Sequence, residues 1–318
     1  MIDTATSTVL EAPRIRSFRG ASRGPSVHVR RNLTAYLFLA PFLLLFIVFI
    51  VVPIVLGLWI SLHTWNPILP TKPFVGLDNY ADLFTPGTLT GDNFWQSMGA
   101  TGIFTIATFP LMLAVPLALA SLLNRNIRGG SAFRSSLFAP YVLGVAVVGV
   151  MWNFFLNPQL GVVNAALQAL GFEETIPWTS AMPWAWVSLV AVTVWWTAGF
   201  NTVILLAGMK GINPDLYDAA AVDGAGVWTR FWHITLPGLR PVMLFVTTLT
   251  VISSANMFGQ SYLITQGGPG ERTRTVIMYI AEEGLANQQM GPAAAMSYVL
   301  FAFLAIISII NFRVQREK

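Results

Sequence analysis

The sequence predicts an all-α integral membrane protein with six transmembrane helices. Two observations carry that expectation. Of 318 residues, 55% are hydrophobic and only 10% charged, against about 25% charged in an ordinary soluble domain. The few charges are also clustered, leaving six long, essentially uncharged stretches at 32–72, 93–124, 135–172, 175–209, 241–270 and 284–312. Each stretch can hold the ~20 apolar residues needed to cross ~30 Å of hydrocarbon.

The expected helices fall near 33–62, 97–123, 135–156, 183–209, 239–263 and 292–312. The first follows a basic stretch, as a secretory signal would. Its apolar run from Leu33 to Leu62 is about twice the length of a signal core, however, and no small-residue cleavage site follows before Trp65, so it reads as a retained helix. The second and third contain Pro110, Pro116 and Pro140, which membrane helices tolerate where neighbours re-satisfy the backbone. Trp178, Trp184 and Trp186 near the start of the fourth read as an interfacial aromatic belt. The domain organisation is thus a basic, Arg/Ser/Pro-rich disordered cytoplasmic tail (1–31) followed by a six-helix transmembrane domain (32–318).

Orientation follows from Lys and Arg. With the N-terminus inside, the inner segments hold Arg14, Arg16, Arg19, Arg23, Arg30, Arg31, then Arg125, Arg128, Arg134, then Lys210, Arg230, Arg240, and finally Arg313, Arg316, Lys318. The outer segments hold only Lys72, Arg272 and Arg274. Positive charge concentrates on the cytoplasmic side, so both termini are expected there, in a multi-pass plasma-membrane protein. The same spread over four separate segments argues against nucleic acid as a partner, despite a net charge of +4. With no cysteine and three scattered histidines, no metal is expected.

The segment 210–240 between the fourth and fifth helices balances Lys210, Arg230 and Arg240 against Asp215, Asp218 and Asp223. Asn213 can cap a helix with Pro214 at its first position. Gly224 and Gly226 allow a turn, and a second helix follows until Pro237. Val227, Phe231 and Ile234 share one face of it, beside Trp228 and Trp232. Such a two-helix knob suits docking into a groove of another protein, or lying on the membrane as an amphipathic loop.

For a solute path, Ser253, Asn256 and Gln260 fall at i, i+3 and i+7 on the fifth helix, one face able to hydrogen-bond neutral hydroxyls or to glue helices together. Trp195 and Trp196, with Asn201, offer a flat surface for a sugar ring or for packing. Apart from Arg240 at the inner end of the fifth, no Asp, Glu, Lys or Arg lies inside a span, which disfavours an ion-coupled secondary transporter and an enzyme, and favours an uncharged substrate. A channel would leave the knob unexplained. No G-x-x-x-x-G-K-[ST] phosphate loop occurs, so this chain binds no ATP of its own by that route.

The run from Tyr217 to Pro237, YDAAAVDGAGVWTRFWHITLP, resembles the EAA loop of ABC importer permeases. The family's positions fall on Asp218, Ala219, Ala220, Asp223, Gly224, Ala225, Ile234, Leu236 and Pro237, with Asp218 in place of the usual glutamate. The motifs FVGLDNY (Phe74 to Tyr80) and LITQGGP (Leu263 to Pro269) resemble the sugar-permease branch, of the maltose and glycerol-phosphate type. The resemblance implies a type I importer permease whose 214–237 loop, Phe231 included, couples to a separate ATPase subunit. It also implies two copies of that subunit, which would bind ATP and Mg, a second permease that is related but different, and an extracytoplasmic solute-binding protein that delivers a sugar or oligosaccharide. A permease for a non-sugar solute is the nearest alternative, because the EAA loop does not encode substrate.

Overall fold

The computed structural model describes residues 36, 38–125 and 129–316. The expected basic tail and Arg128 lie outside them. The chain divides into two compact units, Met1–Val55 and Leu56–Lys318. Helix α1, Phe38–Ser61, crosses the division and widens into a π-helical turn at Ile47–Val51. Its most apolar 18-residue window buries no side chain within the chain, which suits a helix bathed in hydrocarbon.

In the second unit, α2 (Asp78–Phe84) precedes α3 (Leu89–Leu123). Helix α3 begins eight residues before its expected start because the Thr88 side chain caps it, accepting from the Gly91 N–H. Its 35 residues run unbroken through Pro110 and Pro116, about 52 Å at 1.5 Å per residue, and they thread three buried clusters in succession. Phe94 lies with Val276, Met296 and Leu300 at one end. Phe104 meets Val148, Leu189 and Met257 in the middle, and Ala120 and Leu123 meet Leu205, Met209 and Leu239 at the other end.

The expected 135–156 helix is instead two, α4 (Gly130–Val142) and α5 (Val145–Phe155), bent by 95°. Pro140 is not the breaking point. The chain turns at Leu143 and Gly144, both extended. Helix α6 (Val162–Ala169) follows, then α7 (Trp184–Lys210). Trp178 and Trp186 pack against the middle cluster rather than forming only a belt, and the Trp178 Nε1 donates to Asn164 Oδ1 at 2.9 Å. Helix α7 lies so close to α4 that a Cβ on Gly199 would sit 1.9 Å from the Leu137 carbonyl oxygen. Glycine is therefore required by close backbone approach.

Helices α8 (Pro214–Val222) and α9 (Val227–Gly238) form the knob, and α9 meets α10 (Arg240–Ala255) at 69°. The expected 239–263 helix stops at Ala255. A π-helical turn, Ser261–Thr265, resumes after the break. Helix α11 (Val276–Ala281), a further π turn (Glu282–Ala286) and α12 (Met290–Arg316) complete the chain. Among the described residues, four helices are long and apolar enough to cross a membrane, and up to six spans result if each bent pair counts as one.

Both sugar-branch motifs fasten loops. In FVGLDNY, Gly76 takes φ +60° and the buried Asn79 donates to the Ser61 and His63 carbonyls at 2.8 and 3.0 Å. In LITQGGP, Gln266 and Gly267 have φ of 50° and 76°. The loop they open is tied down by Thr273, whose hydroxyl donates to the Gly268 carbonyl at 2.7 Å and pairs with the Thr265 hydroxyl at 2.7 Å. The neighbouring Arg274 bridges Glu271 at 2.9 Å and Glu282 at 3.6 Å. Burial raises the Glu282 carboxyl above its ordinary range; Arg274 opposes the shift while Glu271 and Glu283 add to it.

Candidate functional site

The two breaks meet. A Cβ on Gly259 would lie 2.5 Å from Val145 Cγ2, and one on Gly149 would lie 2.6 Å from Leu263 Cβ. Only hydrogen-sized side chains let the start of α5 and the resumed helix after α10 lie against each other. Carbonyls left over at the breaks find side-chain donors instead. Trp196 Nε1 reaches the Leu143 oxygen at 3.1 Å, Asn153 Nδ2 the Ile264 oxygen at 2.9 Å, and Thr275 Oγ1 the Met257 oxygen at 2.6 Å. Non-helical backbone in a spanning region is stable where it is satisfied in this way and lines a cavity.

Such a cavity is present, about 350 Å³, and Val145 and Gly259 both line it. So do Ser253, Asn256 and Gln260. The three residues expected on one continuous helical face thus do converge, but through the break, since Asn256 is the residue that ends α10. Ser253 donates to the Leu249 carbonyl at 2.7 Å and Asn256 Nδ2 to the Ile252 carbonyl at 2.8 Å. What remains to a ligand is the Ser253 hydroxyl lone pairs, the Asn256 amide oxygen and its second amide N–H.

Trp196 lines the cavity while its indole N–H is held by Leu143. Its ring is therefore fixed in place. Trp195 does not line it; that ring packs edge-on against Trp152, with centroids 5.4 Å apart. Asn201 is also elsewhere, buried between α7 and α3 with its amide 3.5 Å from the Met112 carbonyl. The lining also includes polar residues not singled out from sequence, Thr193, Thr197 and Ser254. Thr193 is buried, and its hydroxyl has no hydrogen-bond partner among the described residues. The recurrence of Thr193, Trp196 and Thr197 at i, i+3 and i+4 on α7 was the available signal. Among the described residues, no ionisable side chain lines the cavity.

The second feature is the knob. Asn213 Oδ1 accepts the Asp215 N–H at 3.0 Å, and Pro214 opens α8 as expected. Gly224 turns the chain at φ +79°. Pro237 does not stop α9, which continues to Gly238. The preceding turn, Phe231–Thr235, widens to a π-helix, so the Leu236 N–H bonds to the Phe231 oxygen. Loosening the ladder there accommodates a proline that supplies no N–H and crowds an ordinary helical turn. Asp218, Ala219 and Asp223 are exposed, Ala220, Ala225, Phe231, Ile234 and Leu236 half-buried, and Pro237 exposed. Leu216, Val222, Val227, Trp228 and Trp232 expose large apolar surfaces. The Tyr217 hydroxyl pairs with that of Thr235 at 2.9 Å, joining the two knob helices.

Residues 111–317, which include both the knob and most of the cavity lining, match the profile of the binding-protein-dependent transport system inner membrane component. The chain belongs to that family. It is therefore a multi-pass membrane permease component of an ABC transporter, and ATP hydrolysis is the work of a separate subunit. A probable ABC transporter permease protein of Bacillus subtilis, YesP, is 34% identical over 89% of this chain and 90% of its own length. The trehalose/maltose transport system permease protein MalF of Thermococcus litoralis is 33% identical over 89% of this chain and 94% of its own. In fold, the chain resembles a subunit of a bacterial alginate ABC transporter, crystallised with an alginate pentasaccharide-bound periplasmic protein. The TM-score is 0.79 at 23% identity, covering 91% of this chain and 96% of that one.

Proposed function

We propose that this permease passes a neutral sugar or oligosaccharide through the cavity at the two helix breaks. The observation that carries the reading is the lining itself. Thr193, Ser253, Asn256 and Gln260 supply uncharged hydrogen-bonding groups beside the fixed Trp196 ring, with no ionisable side chain among them. Hydroxyl-rich neutral solutes are held by such groups together with a flat aromatic face. The printed names of relatives, trehalose/maltose and arabinooligosaccharides among them, support the same solute class.

On this reading α4 with α5 forms one span and α10 with the helix resumed after it forms another, giving six, and the knob, α9 included, and both termini face the cytoplasm, as the distribution of Lys and Arg indicates. The 214–237 loop docks on an ATP-binding subunit, which binds ATP and Mg. An extracytoplasmic binding protein delivers solute, and a second, related permease completes the pathway. Closure of two ATP-binding subunits displaces the knobs, and the packed helices convert that displacement into rigid-body rocking about the cavity.

The test is ATPase stimulation. The chain is purified with its co-expressed partner subunits and binding protein, and ATP turnover is measured against a panel of neutral sugars, acidic sugars and amino acids. Stimulation by one or more neutral sugars is expected, weakened by Asn256→Ala. Stimulation by an amino acid or an anionic solute alone would overturn the solute assignment.

A further inference from the structure

A second cavity, about 440 Å³, lies at the knob, away from the solute path. Asn124 and Arg125 border it from the end of α3, Met209 from the end of α7, and Tyr217, Arg230 and Phe231 from the knob. It therefore sits where two apolar helices of 35 and 27 residues end and the knob begins, at the edge of the hydrocarbon layer. Among the described residues, two arginines line it and no Asp or Glu does. The Arg230 Nε is sealed from solvent and has no hydrogen-bond partner among the described residues.

A guanidinium with a buried N–H lacking an acceptor is unfavourably placed, and Arg230 favours an acceptor in the cavity that it borders. A guanidinium fork matches the paired oxygens of a phosphate, and basic pockets between spanning helices are a recurrent way of holding phosphorylated headgroups. The apolar part of the lining, Met209 and Phe231, suits the glycerol and chain roots that accompany such a headgroup. The knob's most exposed apolar side chains, Val222 and Trp228, do not line the cavity, whereas Val227 and Phe231 do, so a protein docked over the second knob helix would border it.

We propose that this cavity binds a phosphate-bearing anion through Arg230 and Arg125, clamping the knob to the ends of α3 and α7. The source of the phosphate is either an anionic phospholipid or a soluble phosphate. The site is independent of which solute the permease carries.

Arginine footprinting on the unmutated full chain separates these cases. The protein is delipidated in a phosphate-free maltoside detergent and treated with phenylglyoxal, and modification of Arg125 and Arg230 is followed by peptide mass spectrometry. Arg272, exposed in the loop before α11, is the internal reference. Phosphatidylglycerol is expected to slow both reactions about fivefold, the effect of filling roughly 80% of sites, with Arg272 unchanged. The same protection by inorganic phosphate alone assigns a soluble ligand, and protection by the lipid alone assigns the membrane. Protection by neither, or equal slowing at Arg272, overturns the proposal. So does protection that arises only when an ATP-binding subunit is added.

Discussion

Replacing Gly259 with alanine should damage the solute cavity in a way that Val145→Ala repairs. The new Cβ would lie 2.5 Å from Val145 Cγ2 and 3.2 Å from its Cγ1, whereas carbon atoms in contact sit about 3.5–4.0 Å apart. The break must therefore open by about 1 Å. Valine is stiff at χ1, so it cannot swing aside freely. Overpacking of this kind costs about 1–3 kcal/mol, a fall of roughly 2–6 °C in apparent Tm by the usual scaling for a large domain. Because both residues line the cavity, uptake should fall with stability. Val145→Ala removes both clashing methyls. The pair should then show a favourable coupling of about 1–2 kcal/mol in a double-mutant cycle, read from thermal unfolding of the purified protein and from solute uptake in cells. Additive losses, with the double variant worse than either single one, would refute the claim that Gly259 is set by contact across the two breaks.

Three further outcomes are expected. Gly224→Ala meets no neighbouring atom, so its effect should come only from holding a residue with a side chain at φ +79°, about 1–2 kcal/mol; Gly224→Asn should be milder, and equal ATPase coupling in wild type and both variants would show the turn to be unimportant. Asn79→Ala deletes two buried donors to Ser61 and His63 and should lower stability by about 1–3 kcal/mol, with faster hydrogen exchange confined to the loop at 62–78; unchanged exchange would refute the clamp. Glu282 has a raised carboxyl pKa, so its contribution to stability is fully present below the ordinary value of 4.5 and is lost as pH rises through the raised value. Glu282→Gln should therefore gain apparent Tm relative to wild type on going from pH 4 to 7, and a growing deficit would mean that attraction to Arg274 outweighs burial.

What was legible in the sequence follows from what hydropathy measures. The stretches of uncharged residues locate every long helix, because exclusion of charge is imposed along the whole hydrocarbon depth. The start of α3 was placed late because Asp92 interrupts the uncharged run, although an acid in the first turn is favourable in a helix. The knob was readable in detail, since caps and turns have local signatures in Asn213, Pro214 and Gly224. Its π turn was not, because widening at Phe231–Thr235 depends on how the chain admits Pro237 rather than on any residue in the turn. The breaks at Leu143–Gly144 and after Ala255 were invisible for a related reason. Leu143 and Gly144 are as apolar or as small as their neighbours, Asn256 reads as one polar residue on a helical face, and the donors that make the breaks tolerable, Trp196, Asn153 and Thr275, lie far away in sequence.

That last point explains why the site was only half legible. An intact helix spends its backbone donors and acceptors internally and offers a solute nothing but side chains. Here two interrupted spans cross at glycines, so side chains from α5, α7 and α10 converge on one volume that no single helical wheel describes. Ser253, Asn256 and Gln260 were found by their spacing, although the helix that justified the spacing ends among them. Thr193 was missed because a lone threonine on an apolar helix usually bonds back to its own turn, as Thr197 and Thr202 do. The Thr193 hydroxyl makes no such bond among the described residues, yet it is buried at the cavity wall.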